Sequence, residues 1–189
     1  MAVMDKPAER FTSGAAELRR WHPDDLDTLV RVVEESLDHL RPWMPWAAGQ
    51  DRAQSAGFLA RCEEEWETGQ AFNYAVTTAG SVIGSCGLMR RIGPGGLEAG
   101  YWLHPGWTGR GLATMTAAGL VDQAFRLPGT GRVEIHHDAA NTASGAVARR
   151  LGFTEAERRP APDGPEAPGE VGIGVVWRVT AAEWVARGS

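Results

Sequence analysis

Three glycines, Gly106, Gly109 and Gly111, stand between an apolar run ending in "GYWL" and an alanine-rich stretch of helical period that begins at Leu112. Glycine weakens a helix, so two of them at its mouth point to something approaching the backbone closely. The first amides of a helix lack intrahelical partners and carry a partial positive charge. "GWTGRGLAT" (106–114) is therefore a candidate phosphate cradle. Other residues nearby can move protons. Glu98 sits inside the apolar run, on one alternating face with Gly100 and Trp102, just ahead of the cradle. Ser144 stands where a strand gives way to a helix, three residues after Asn141; either Asn141 or Thr142 suits the cap there. His104, beside the cradle, is either a base or a partner for local backbone. His136-His137-Asp138 suggests a metal, but neighbouring strand residues point to opposite faces, so the two histidines do not share one and no metal is expected.

Two common phosphate motifs fail. A P-loop needs Gly-x4-Gly-Lys-Ser/Thr, and no lysine follows a suitable glycine. A dinucleotide fingerprint needs a third glycine where Thr114 stands, and the strands before the cradle form a meander, not a βαβ unit.

The elements that position these residues follow from periodicity and punctuation. Residues 1–13 read as a flexible start and 14–189 as one domain. A strand is expected over 15–21. Pro23-Asp24-Asp25 opens a helix whose apolar positions Leu26, Leu29, Val30, Val33, Leu37 and Leu40 fall at helical spacing. Two prolines make 41–50 a loop, and a second helix runs over 51–68. Strands over 71–77, 80–90 and 96–103 form the meander, with turn signals between them. A third helix covers 109–126, with Ala113, Ala117, Leu120, Val121 and Ala124 as a slim face for close packing. A strand over 132–138, a helix over 142–151 ended by Gly152, strands over 153–159 and 171–180, and an amphipathic tail complete the chain. The order βααβββαβαββ describes a mixed, mostly antiparallel α/β (α+β) sheet of about six to seven strands with about four helices.

The chain's 189 residues suit one domain, and 43% hydrophobic and 23% charged residues suit a globular core. A net charge of −5 argues against nucleic acid as a partner and requires a local positive site for any anionic ligand. Cys62 and Cys86 follow no metal or CxxC spacing and read as reduced thiols. No signal-peptide core appears in residues 1–14 and no apolar run approaches a membrane span, so a cytoplasmic protein without a membrane partner is expected.

The segment Thr108-Gly109-Arg110-Gly111-Leu112-Ala113 resembles the acyl-CoA pyrophosphate loop of the GNAT acetyltransferase superfamily, Gln/Arg-x-x-Gly-x-Gly/Ala, with Thr108 departing at the first position. "LRRWHPDDLDTL", "LRPWMPWA", "EAGYWLHPGWTGRGLAT" and "NTASGAVARRLGF", in that order, resemble the branch that acetylates ribosomal-protein N-termini, RimJ/RimL-like. The resemblance implies an acyl-CoA-dependent N-acyltransferase, with acetyl-CoA or succinyl-CoA as co-substrate. The acceptor would be a protein N-terminal α-amine or a small-molecule amine, and a homodimer is in keeping with the family. A non-catalytic acyl-CoA-binding domain and a nucleotide-binding protein are the rival readings.

The resemblance also implies roles. Backbone amides of Gly109, Arg110, Gly111, Leu112, Ala113 and Thr114 would hold the pyrophosphate, and Asn141 the pantetheine arm. Main chain near Leu103 or His104 would polarise the thioester carbonyl. Glu98 would draw the amine proton, or else pairs with a basic residue near the rim, and Ser144, also against the cofactor, would protonate the leaving sulfur. Many relatives use a tyrosine as acid; Tyr74 and Tyr101 lie far upstream in sequence. No cysteine adjoins the loop, so direct attack in a ternary complex is expected. Trp43 and Trp46 either wall the acceptor groove or pack as a plug. Asp163, Glu166 and Glu170 either favour a cationic acceptor or form a solvated face, and Arg149 or Arg150 lies near a phosphate or on the surface.

Overall fold

A computed structural model of the chain describes residues 6–187. Eight strands make one sheet: β1 (Arg10–Ser13), β2 (Ala16–Arg20), β3 (Ala71–Thr78), β4 (Ser81–Met89), β5 (Gly96–Leu103), β6 (Arg132–Asp138), β7 (Thr154–Pro160) and β8 (Ile173–Thr180). Their order is β1-β2-β3-β4-β5-β6-β8-β7, and β5/β6 is the one parallel pair among them. The helices among the described residues are α1 (Leu26–Glu34), α2 (Leu37–Leu40), α3 (Arg52–Thr68), α4 (Leu112–Arg126), α5 (Thr142–Arg150) and α6 (Ala181–Arg187). The α/β class holds, with more elements than expected.

The additions have local causes. Residues 10–13 are not a flexible start: Arg10 to Ser13 pair with Arg19 to Ala16, and Phe11 sets its ring edge on Tyr74 with centroids 5.2 Å apart. Ala8 is tied as well, donating to Gln123 Oε1 and accepting from the Tyr74 hydroxyl. The remainder of that expectation, residues 1–5, lies outside the described residues. The helix opened by Pro23 divides at Ser36, which is buried and donates its hydroxyl to the Val32 carbonyl at 2.6 Å; a serine bonded back to its own helix competes with the next turn. The prolines at 42 and 45 keep α-helix out of the following loop, which holds a 3-10 turn at Pro45–Gly49.

The slim face of α4 is realised. Ala117, Leu120, Val121 and Ala124 are buried against Leu97, Ala99, Val133 and Ile135 of the sheet. Burial of Leu120 and Val121 stabilises by about 1.5–3 kcal/mol each. The other face of the sheet is covered by α1 and α3, where Leu29, Val32, Val33, Leu59 and Cys62 pack with Trp21 and Ala75.

One feature of the sheet positions everything else. The parallel pairing of β5 and β6 covers only Gly96↔Arg132, Leu97↔Val133 and Glu98↔Glu134. Beyond it β5 stays on β4 as far as Leu103↔Gly84, and β6 stays on β8 as far as Asp138↔Gly174. The two strands part in the middle of the sheet.

Candidate active site

A cleft of about 1980 Å³ runs along that parting. At one end lies the N-terminus of α4. Its N-cap, Gly111, has φ 77° and no side-chain cap, and the first helical bond is Met115 N–H to the Gly111 carbonyl. The amides of Leu112, Ala113 and Thr114 are thus without intrahelical partners. Gly109 also has positive φ, 74°, and a Cβ there would meet nothing within 4 Å. Both glycines border the cleft with Leu112, Ala113 and Thr114. The guanidinium of Arg110 lies over the Trp107 ring, 4.8 Å from its centroid, and does not border the cleft. With its side chain on Trp107, Arg110 offers the loop its main chain. These groups fit a pyrophosphate: uncapped amides, open space and no competing carboxylate among the residues of the loop.

His104 does not join them. Its Nδ1 accepts from Gly106 N–H at 3.0 Å, capping the turn Pro105–Trp107, and its own N–H donates to the Ile83 carbonyl at 2.7 Å. This corrects the expectation that His104 contacts cofactor or acts as a base. Antiparallel alternation then turns the main chain of Leu103, Tyr101 and Ala99 away from β4, toward the parting. Of the two expected carbonyl polarisers, Leu103 is the one that faces the gap.

Asn141 caps α5, accepting from Ser144 N–H at 3.2 Å, which settles the cap against Thr142. Asn141 and Ser144 both border the cleft. The Ser144 hydroxyl lies 3.3 Å from the Tyr101 hydroxyl, and burial pushes the Tyr101 phenol up to about 12. Tyr101, remote from Ser144 in sequence, is its neighbour in space. Cys86 is corrected in the same way: it pairs with Tyr101 in register and borders the cleft. Burial holds its thiol well above the ordinary range, so a thiolate nucleophile is disfavoured there.

The far end of the cleft is ionic. Glu98 is 6% exposed, and Arg91 Nε donates to its Oε2 at 2.8 Å while Arg91 Nη2 holds Oε1. The carboxylate expected to take the amine proton is thus already forked by a guanidinium. His136 and His137 face opposite sides of β6, as alternation requires. His137 Nε2 accepts from Trp177 Nε1 at 2.9 Å beneath α5, and His136 Nε2 lies 2.7 Å from Glu134 Oε2 on the Glu98 side. Among the described residues no group of three or more histidine, cysteine or acidic side chains is placed to hold a metal.

Loops wall another part of the cleft. Trp46, 40% exposed, lies 6.1 Å from Trp102 between centroids, and both border the cleft with Trp43. Trp46 is thus a wall and not a core plug. Opposite, Glu170 Oε2 accepts from the amides of Glu166 and Ala167, so it shapes its own loop; Asp163 is exposed outside the cleft. Asp138 accepts from the amides of Ala140, Val171, Gly172 and Ile173 and fixes the base of that loop. Gly169 N–H then donates to the Pro42 carbonyl at 2.9 Å, joining this loop to the tryptophan loop. Arg150 borders the cleft, whereas Arg149 stacks on Trp177.

Residues 16–154 match the family model described as an acetyltransferase (GNAT) domain. The chain belongs to the GNAT acetyltransferase family. This makes it an N-acetyltransferase. Among solved structures, RimL, the ribosomal L7/L12 alpha-N-protein acetyltransferase in complex with coenzyme A, superposes with a TM-score of 0.81 at 20% identity, over 90% of this chain and 96% of that one. Mycobacterium smegmatis RimJ in complex with CoA-disulfide gives 0.79 at 22% identity, over 98% and 96%. The microcin C7 self-immunity acetyltransferase MccE in complex with acetyl-CoA and AMP gives 0.80 at 17% identity, over 88% and 92%. At such identities these neighbours bear on the fold. No curated protein matches the chain in sequence at a significant level.

Sequence reasoning missed four residues of the arrangement in and behind this cleft: Tyr101, Arg91, Glu134 and, as anything but a metal ligand, His136. Alternation held a signal for two of them, since Glu134 and His136 share the β6 face that meets Glu98.

Proposed function

We propose that the protein moves an acetyl group from acetyl-CoA to a primary amine by direct attack while both substrates are bound. The observation that carries this reading is the single cleft that joins the uncapped amides of α4 to the ionic end through the parting of β5 and β6. The amides of residues 109–114 would hold the pyrophosphate, and Asn141 with the gap-facing main chain would hold the pantetheine arm. Charge-assisted hydrogen bonds contribute about 1.5–3 kcal/mol each, so a few suffice against the cost of ordering the ligand. When bound, acyl-CoA supplies an activated carbonyl. The gap-facing N–H groups of Ala99, Tyr101 and Leu103 are the donors on offer to polarise it, and Ser144, backed by the Tyr101 hydroxyl, is the proton source for the leaving sulfur. Glu98 supplies fixed negative charge that draws an ammonium group to the acceptor end.

RimL acts on a protein α-amine, and the likeness supports a protein N-terminus or a small amine as acceptor here. The energetics agree: at pH 7 an α-amine gives up its proton for about 1 kcal/mol, against about 4.6 for a lysine. Arg91 is committed to Glu98, whereas Arg61, Arg150 and Arg159 also border the cleft, so the choice between acetyl and succinyl rests on the comparison of the two donors below.

Thermal shift tests the reading. Acetyl-CoA at about 100 times its Kd adds about 2.7 kcal/mol, which raises the melting temperature by roughly 5–11 °C for a domain of this size. A larger shift with succinyl-CoA would move the donor. An equal shift with ATP, or none with any ligand, would overturn the proposal.

A further inference from the structure

We infer that the proton acceptor of the reaction is His136, oriented by Glu134, and that Glu98 assists it as a fixed charge. The inference rests on the acyltransferase reading above and names the base that this reading leaves open.

Position comes first. Glu98 and Glu134 are the last parallel partners before β5 and β6 part. His136 stands two residues further along β6, so it is the first side chain on that face beyond the fork. It borders the cleft with 35% of its side chain exposed. Glu134 lies behind it at 5%.

Hydrogen bonding then sets the tautomer. Glu134 Oε1 accepts from Arg178 Nε at 2.8 Å and from Arg132 Nε at 3.3 Å, and Oε2 faces His136 Nε2 at 2.7 Å. Burial pushes the Glu134 carboxyl up, but the His136 and Arg178 contacts hold it below the usual carboxylate range. An ionised carboxylate only accepts, so Nε2 carries the hydrogen, and in the neutral imidazole Nδ1 keeps its lone pair. Among the described residues Nδ1 has no hydrogen bond; its nearest charged neighbour is Glu98 Oε2 at 3.8 Å. An imidazole that borders a cleft, with one nitrogen anchored on a buried carboxylate and the other without a hydrogen bond, has the geometry of a general base.

Glu98 is the poorer candidate. Both its oxygens accept from Arg91, and protonating it would give up those charge-assisted bonds. The groups facing the imidazole are thus Glu98, with Arg91 behind it, on the β5 side; Glu134, with Arg132, on β6; and Arg178 and Val176 on β8.

The step balances. The acceptor, drawn in as an ammonium, first gives one proton to solvent; the lone pair of the neutral amine then attacks the thioester carbonyl carbon as a second amine proton passes to His136 Nδ1. The C–N bond forms, the C–S bond breaks and its electron pair leaves on sulfur, which takes a proton from the Ser144–Tyr101 side. The imidazolium, between Glu98 and Glu134, releases its proton to solvent through the cleft, and the Ser144–Tyr101 pair takes one back from solvent.

The test uses acetyl-CoA with glycinamide, spermidine and short peptides beginning with serine or alanine. His136→Gln should keep the acetyl-CoA thermal shift and lose about 10²–10⁴-fold in kcat/KM. Its pH–rate profile should lack one acid-limb ionisation beyond that of the amine. Added imidazole should restore part of the activity of His136→Ala. Glu98→Gln should lose less than His136→Gln. Long-range proton–nitrogen spectra, which need no acceptor, should show the parent's His136 ring as the Nε2–H tautomer, and Glu134→Gln should relax that preference and lower kcat more than it raises KM. An Nδ1–H tautomer in the parent, or His136→Gln within about threefold of the parent's kcat/KM, would overturn the assignment while a normal acetyl-CoA shift leaves the acyltransferase reading standing. A parent that binds no acyl-CoA would instead sink that reading.

Discussion

At the α4 end of the cleft the groups on offer are main chain: amides freed by a helix start and by two glycines of positive φ. At the β6 end they are side chains: Arg91, Glu98, Glu134, His136 and Arg178, brought from three strands and a turn into one ionic cluster. The first end is built from six consecutive residues and tolerates any side chain that stays out of the way, as Arg110 does. The second depends on the identity of every member, because each charge there is set by the next. Binding of a ligand common to a family suits main chain; handling one particular amine suits side chains.

The contrast can be broken at the first end by Gly109→Val. The fold has room for the side chain, but the positive φ strains a branched residue by about 1–2 kcal/mol, so the melting temperature should fall by roughly 2–8 °C. The acetyl-CoA shift should vanish altogether, the largest effect expected, and a normal shift would show that the amides are not the anchor. At the second end, Glu134→Gln should cost about 1–3 kcal/mol at pH 7, because Arg178 loses its buried counter-charge. The sign of the pH effect follows from the lowered Glu134 carboxyl. Its contribution is complete above the unfolded value near 4.3 and is lost as pH falls through the lower folded value. Acid melting curves of the parent should therefore steepen below about pH 4.5 relative to Glu134→Gln; parallel curves would mean that the cluster does not hold the carboxylate. The smallest effect belongs to the wall. Trp46→Ala should raise the acceptor's KM by roughly 2- to 10-fold, the size of one aromatic contact, and leave the acetyl-CoA shift unchanged. A changed cofactor shift would place Trp46 at the wrong end.

The same contrast governs what the sequence reveals. Gly109, Gly111 and the slim face of α4 act through local rules of helix starts and periodicity, which act on neighbours in the chain. Strand bounds over 71–103 and 132–138 are legible for the same reason. Ser36, which divides a helix by one hydroxyl bond, needs its rotamer to be known. The Tyr101–Ser144 contact crosses 43 positions and the Arg178–Glu134 contact 44, and no local rule reaches that far. Glu98 shows the limit most plainly: a mid-strand carboxylate signals a special site, but whether it is free or forked depends on Arg91, in the turn before it.

Asp138, which gathers four amides, and the Gly169–Pro42 bond together tie the two loops at the acceptor end to the sheet and to each other. Fixing a backbone residue costs about 1–2 kcal/mol of conformational entropy, and here much of that cost is met when the chain folds. An arriving acceptor meets a rim already in place, so its contacts are not discounted by ordering it. Affinity for the acceptor then depends on residues that it never touches.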